Sequence, residues 1–116
     1  MAGIFELKTT AAAKFHFVLK AGNGEIILQS QQYEAKSGAE NGIESVRANA
    51  PFDERFERKA AKNDEPYFVL KAGNGLVIGQ SETYSTVAAM EKGITSVKTN
   101  APEAKFKDLT EAEGAK

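Results

Sequence analysis

The chain has no cysteine and a single histidine. Without cysteine there can be no disulfide, no thiolate nucleophile and no cysteine-held metal. With His16 as the only imidazole, a two-histidine metal site or a pair of histidine bases is excluded within one chain. Net charge is also scarce: 15 basic against 16 acidic side chains leave a formal charge of -1. That balance supplies no global drive toward DNA, RNA or an anionic membrane, so neither nucleic acid nor membrane is an expected partner. No apolar run approaches the roughly 20 residues of a spanning helix. Met1-Ala2-Gly3-Ile4-Phe5-Glu6 shows neither the basic nor the apolar region of a signal peptide. A cytoplasmic chain is the expectation.

What the chain does have is a repeated octet. Phe17-Val18-Leu19-Lys20-Ala21-Gly22-Asn23-Gly24 returns unchanged as Phe68-Val69-Leu70-Lys71-Ala72-Gly73-Asn74-Gly75. Asn-Gly between apolar runs is a strong hairpin signal, because a type I′ turn needs positive φ at both central residues. The spacing therefore predicts two hairpins with Asn23-Gly24 and Asn74-Gly75 at their tips. In that register Lys20 faces Ile27, Leu19 faces Leu28 and Val18 faces Gln29. Strand side chains alternate between faces. Phe17, Leu19, Ala21, Ile26 and Leu28 then form a core face. His16, Val18, Lys20, Ile27 and Gln29 form the other, with Tyr67, Val69, Lys71, Ile78 and Gln80 as their counterparts.

Around the hairpins, Ile4–Thr9, Asp53–Ala61 and Ala104–Thr110 read as further strands. Residues 36–49 and 86–100 switch to helical spacing, with Ala39, Ile43, Val46 and Ala50 on one face and Met90, Ile94, Val97 and Ala101 on the other helix's. Thr86 is a plausible N-cap and Ala35 a poor one. Asn-Ala-Pro ends each helix, Asn by tolerating the left-handed conformation and Pro by refusing to continue. Gly42 and Gly93 cost each helix about 1 kcal/mol relative to Ala, which suggests a close approach to the sheet. The offset between copies is 51 residues, and 20 of the 35 pairs from Phe17–Pro51 to Phe68–Pro102 are identical. Leu28 against Gly79 and Phe15 against Pro66 are departures. Units of about 50 residues bury little surface alone, so the copies should share a core. The division expected is 1–53 and 54–110 as two repeats of one globular domain, with 111–116 a disordered tail.

Phe-Val-Leu-Lys-Ala-Gly-Asn-Gly, then Gln29-Ser30, Tyr33 and Glu40-Asn41-Gly42-Ile43-Glu44-Ser45-Val46-Arg47, with its second copy, resembles the YegP-like family of small bacterial tandem-repeat proteins, whose function is unknown. The resemblance covers Phe5 to about Thr110. It implies three strands, a helix and a strand per unit, one continuous sheet, and final strands exchanged between units. It implies no activity and no catalytic residue.

The fold expected is α+β: two β-β-β-α-β repeats related by a pseudo-two-fold axis, sharing one mainly antiparallel sheet of about seven strands, with both helices on one face. Gly22-Asn23-Gly24 lacks the Lys-Ser/Thr of a phosphate loop. The acidic pairs Asp53/Glu54 and Asp64/Glu65 point to opposite sides if they lie on strands. The basic stretch from Arg47 to Lys62 is interrupted by acids. No catalytic residue, metal ligand or cofactor is expected. The preferred reading is a non-enzymatic interaction module, acting as a monomer and taking a protein on the uncovered face: His16, Val18, Lys20, Ile27, Gln29, Tyr67, Val69, Lys71, Ile78 and Gln80. On that reading Val18, Ile27, Val69 and Ile78 should be exposed. The alternative is a small-molecule-binding protein or enzyme with its site where the repeats meet.

Overall fold

The computed structural model describes residues 3–110. Three strands, β1 (Ile4–Thr9), β2 (Phe15–Lys20) and β3 (Ile26–Gln29), precede helix α1 (Lys36–Asn49). A 3-10 turn over Asp53–Arg55 leads into β4 (Phe56–Ala60), β5 (Pro66–Lys71) and β6 (Val77–Gln80), then α2 (Val87–Asn100) and β7 (Lys105–Asp108). The strands form one seven-stranded sheet in the order β4-β5-β6-β3-β2-β1-β7. All neighbours are antiparallel except β1 and β7, which run parallel. The chain therefore crosses the pseudo-two-fold axis after each helix. β4 follows α1 but joins β5, and β7 follows α2 but returns to β1. This is the exchange that the family resemblance implies. The expected tail at 111–116 lies outside the described residues.

Both helices cover one sheet face. Phe5, Leu7, Phe17, Leu19, Leu28, Phe68 and Leu70 pack there against Ile43, Val46, Ile94 and Val97 in a single cluster. The helix glycines are explained by aromatic rings. A Cβ on Gly42 would lie 2.6 Å from the Tyr33 hydroxyl and 2.9 Å from the Phe17 ring, and one on Gly93 would collide with the Tyr84 hydroxyl. Each tyrosine stacks on its phenylalanine, with centroids 6.3 Å apart in both halves. Thr86 caps α2, its Oγ1 accepting from the Ala89 N–H at 3.0 Å, whereas Ala35 offers α1 no side-chain cap.

Three local expectations are corrected. The hairpin tips are where the sequence placed them, but the turns are not type I′. Only Gly24 and Gly75 have positive φ there, 89° and 87°. Gly24 donates to the Ala21 carbonyl and Ala21 to that of Glu25, which is a three-residue loop ending in a left-handed glycine. The Asn23 and Asn74 carboxamide oxygens accept from the N–H two residues on. The loop shifts the register by one, so Lys20 pairs with Ile26. A bulge at Ile27 then restores the pairing of Leu19 with Leu28, and Ile78 does the same in the second half. The helix stops also differ. Asn100 stays right-handed at φ -88°, and the Asn49 and Asn100 amides reach back to the carbonyls of Ser45 and Ser96 at 2.8 Å. Lastly, two strands are shorter than expected. Asp53–Arg55 is a 3-10 turn, and β7 ends at Asp108, whose Oδ1 accepts from the N–H and hydroxyl of Thr110.

Candidate functional site

The helix-free face can be traced across the whole sheet, because residues directly opposite one another share a face. Lys105 and Lys107 lie beside Ile4 and Glu6, Lys8 beside His16, and Val18 between Glu6 and Gln29. Gln29 meets Gln80, the one pair joining β3 to β6, and beyond it come Val69 and Glu57. Tyr67 lies beside Lys59, and Lys71 beside Val77.

His16, Lys20, Gln29, Tyr67, Lys71 and Gln80 therefore do share this face. Ile27 and Ile78 do not act as expected. As bulge residues they turn into the helix-side cluster, and Ile26 and Val77 take their places. Val77 is 43% exposed. Val18 and Val69 keep the expected face but are only 2% and 3% exposed. A short β-branched side chain, with a glutamate opposite on one strand and a glutamine on the other, is roofed by its longer neighbours. The face is thus polar at its surface with valine beneath, rather than apolar at its centre.

That roof is charged and is built twice. Glu6 Oε1 lies 3.2 Å from Lys20 Nζ and 3.8 Å from Lys8 Nζ. Glu57 lies 2.5 Å from Lys71 Nζ and 3.7 Å from Lys59 Nζ. The hydrogen bond from Lys71 holds the Glu57 carboxyl below its ordinary range. Burial, then the charge of Lys8, lowers the His16 pKa, which favours a neutral ring. The repeat pattern missed Glu6, Glu57, Lys8, Lys59, Lys105 and Lys107. The alternation Phe5-Glu6-Leu7-Lys8 holds the signal for the first of them, since residues between two core positions must face the other way.

At the repeat junction β3 and β6 form a single backbone pair, Gln29 with Gln80, and a cleft opens on each side. One, of about 360 Å³, is lined by Gln29–Gln31, Val77 and Gly79–Ser81. The other, of about 510 Å³, is lined by Gly24–Ile27 and Glu82–Tyr84. Several repeated polar residues near them have structural work. The Ser30 and Ser81 hydroxyls accept from the N–H of Phe17 and Phe68 and donate to the next carbonyl, filling gaps in the ladders. Among the described residues no three His, Asp or Glu side chains are grouped to hold a metal ion, and no helix is long and apolar enough to cross a membrane.

A family model described as "Domain of unknown function (DUF1508)" matches twice, at residues 11–57 and 61–108. A UPF0339 protein of Shewanella oneidensis is 53% identical over 110 residues, covering 95% of this chain and all of that protein, 100%. The UPF0339 protein YegP of Escherichia coli K12 is 52% identical over 110 residues, with the same 95% and 100% coverage. The solution NMR structure of a UPF0339 protein from Shewanella oneidensis is similar with a TM-score of 0.89, at 52% identity over 94% of this chain and 92% of that one. That of the E. coli protein, described as of unknown function, gives 0.88 at 52% identity over 93% of each chain.

Proposed function

This chain belongs to the DUF1508 family of uncharacterised UPF0339 proteins, and we propose that it is a non-enzymatic binding module that receives an acidic surface of a partner protein on the helix-free face of its sheet. One observation carries the reading: charge is segregated by the fold. Among the described strand residues, Lys8, Lys20, Lys59, Lys71, Lys105 and Lys107 share that face with only Glu6 and Glu57, on a chain whose formal charge is -1. The rest of the chain therefore carries the excess of acid. Complementary potentials of this kind steer association and suppress wrong partners. The Glu set among each group of lysines favours a protein, whose surface mixes signs, over a phosphate backbone or a lipid headgroup layer. In this reading the chain works as a cytoplasmic monomer.

The test is photo-crosslinking in the source cell. A crosslinker at Gln80 should yield a discrete protein adduct that Lys20→Glu/Lys71→Glu abolishes, and one at Lys92 on α2 should not. The same adducts from both positions, or none from Gln80, would sink the reading. A second reading, a small-molecule site at the repeat junction, is favoured by the two clefts. Fragment titration with shifts confined to Ser30, Gln31, Val77 and Ser81 would support it over the first.

A further inference from the structure

The two outer strands that the repeats place in equivalent positions are β1 and β4, and they end differently. β1 carries β7 in parallel, with Phe5 opposite Phe106 and Glu6 opposite Lys107. Lys105 and Leu109 donate to the carbonyls of Gly3 and Leu7, so the backbone of Phe5 and Leu7 faces the added strand. At the offset of 51 the counterparts are Phe56 and Arg58 on β4, and β4 ends the sheet with no strand beyond it among the described residues. The side chains record the difference. Glu6, between β2 and β7, is 12% exposed, and Glu57, with β5 on one side only, is 43% exposed.

We infer that the free edge of β4 is an acceptor for an extended segment of a partner protein, added as a parallel strand that sets a basic side chain opposite Glu57 and an aromatic or apolar one opposite Phe56. The pattern is that of β7 itself, Lys105-Phe106-Lys107-Asp108. Charged edges ordinarily discourage pairing. Here the equivalent edge of β1 is just as charged, with Glu6 and Lys8, and it accepts a strand that brings lysine to its glutamate. A second copy of this chain is the poorer occupant. Donating its β7 would uncover its own β1, leaving as many free edges as before. An unrelated extended segment closes an edge outright, which is the energetic basis of strand addition. The inference does not depend on the helix-free face as a partner surface.

The probe is a blocked peptide with the sequence of residues 101–110, titrated into the full-length 15N-labelled chain. The expected result is amide shifts across Phe56, Glu57 and Arg58, with slowed exchange at Phe56 and Arg58, whose backbone faces outward. Glu57→Lys should weaken binding by roughly fivefold, on the scale of one cross-strand pair, and a peptide carrying Lys107→Glu should recover it. That same peptide should bind the unaltered chain more weakly, a control that needs no mutant protein. Shifts confined to Ile4–Leu7 would mean exchange with β7 and would overturn the inference. So would no shift up to the solubility of the peptide, or a concentration-dependent self-association of the peptide-free chain through β4.

Discussion

Leu28 and Gly79 occupy the same place in the two repeats, yet one is a large core side chain and the other has none. They meet near the pseudo-two-fold axis: a Cβ on Gly79 would lie 2.6 Å from the Leu28 methyl carbon Cδ2. Away from the axis the copies can stay alike, and Phe17 and Phe68, Leu19 and Leu70, Tyr33 and Tyr84 do. At the axis two leucines would claim one volume, so large and small alternate as close packing demands. The other departures follow the same logic of place. Phe15 and Tyr33 exchange two backbone hydrogen bonds, whereas Pro66 has no N–H and only accepts from Tyr84. β4 is tied to α2 by Arg58, which reaches Glu91 at 2.7 Å and Asp53 at 3.1 Å, and β7 to α1 by the ion pair of Asp108 with Lys36. Inequality of the halves is therefore first a packing solution, and it need not imply two unequal sites.

The sharpest way to break the comparison is at the paired core positions. Leu19→Ala and Leu70→Ala should each cost about 2–5 kcal/mol in urea unfolding, and nearly the same amount if the halves are mechanically equivalent. Val18→Asp and Val69→Asp should cost at least as much, since each buries a carboxylate directly opposite Glu6 or Glu57. A mild effect at the valines with a severe one at the leucines would restore an open, water-exposed second face.

The axis itself is tested by a swap. Gly79→Leu alone should overpack and cost about 1–3 kcal/mol. Leu28→Gly alone should cost more, through its cavity and its glycine. The double variant exchanges the two sides, and should be more stable than the sum predicts by about 0.5–3 kcal/mol. Strict additivity would mean that the two residues do not share one volume.

Smaller effects are expected at the helix glycines. Propensity alone favours Gly42→Ala and Gly93→Ala by about 1 kcal/mol, but each Cβ enters the tyrosine–phenylalanine stack. Both should destabilise, Gly93→Ala more, because its Tyr84 contact is closer. Tyr33→Phe removes the nearest atom and should reduce the cost of Gly42→Ala, leaving the 2.9 Å approach to the Phe17 ring. A raised melting temperature for either single variant would remove the close contact as the reason for glycine. Capping comes next: Thr86→Ala should cost about 1 kcal/mol. Ala35→Ser, at φ -125° and ψ 148°, should gain a similar amount, bringing the first helix up to the second.

Much of this was legible in the residues. The helix bounds followed from a 3.6-residue period closed by Pro, and the cap at Thr86 from its hydroxyl. The turn type was not legible, because Gly-Asn-Gly serves equally as a type I′ turn on Asn-Gly or as a type I turn ending in a left-handed Gly. The bulge was hidden for a similar reason. Ile26 and Ile27 are both apolar, so alternation cannot say which one faces the core. The burial of Val18 depends on the length of its neighbours on other strands, which a single strand does not record. That β7 would choose β1 in parallel is set by the path of the chain around the helices rather than by any local pattern; the family resemblance implied the exchange of the final strands but not their direction.

The smallest effect expected lies at the single histidine, His16, which stands against Tyr67 in the second half. Burial and Lys8 place the folded pKa of His16 below its ordinary 6.5. Between those two values the unfolded chain binds the proton more tightly, so stability rises with pH through that window and is lost as pH falls from above 6.5 toward the folded value. Below the folded value the contribution is gone and the slope vanishes. The carboxylates with lowered pKa, Asp53, Glu57, Glu91 and Asp108, lose their share only at lower pH, below ordinary values of 3.8 for Asp and 4.5 for Glu. The His16 window opens at higher pH than theirs. His16→Tyr makes the first half match the second at this position, and should flatten the stability profile just below pH 6.5. If urea unfolding shows the same slope in that window for both chains, His16 does not titrate differently on folding, and the neutral ring on the helix-free face is lost as a feature of the candidate site.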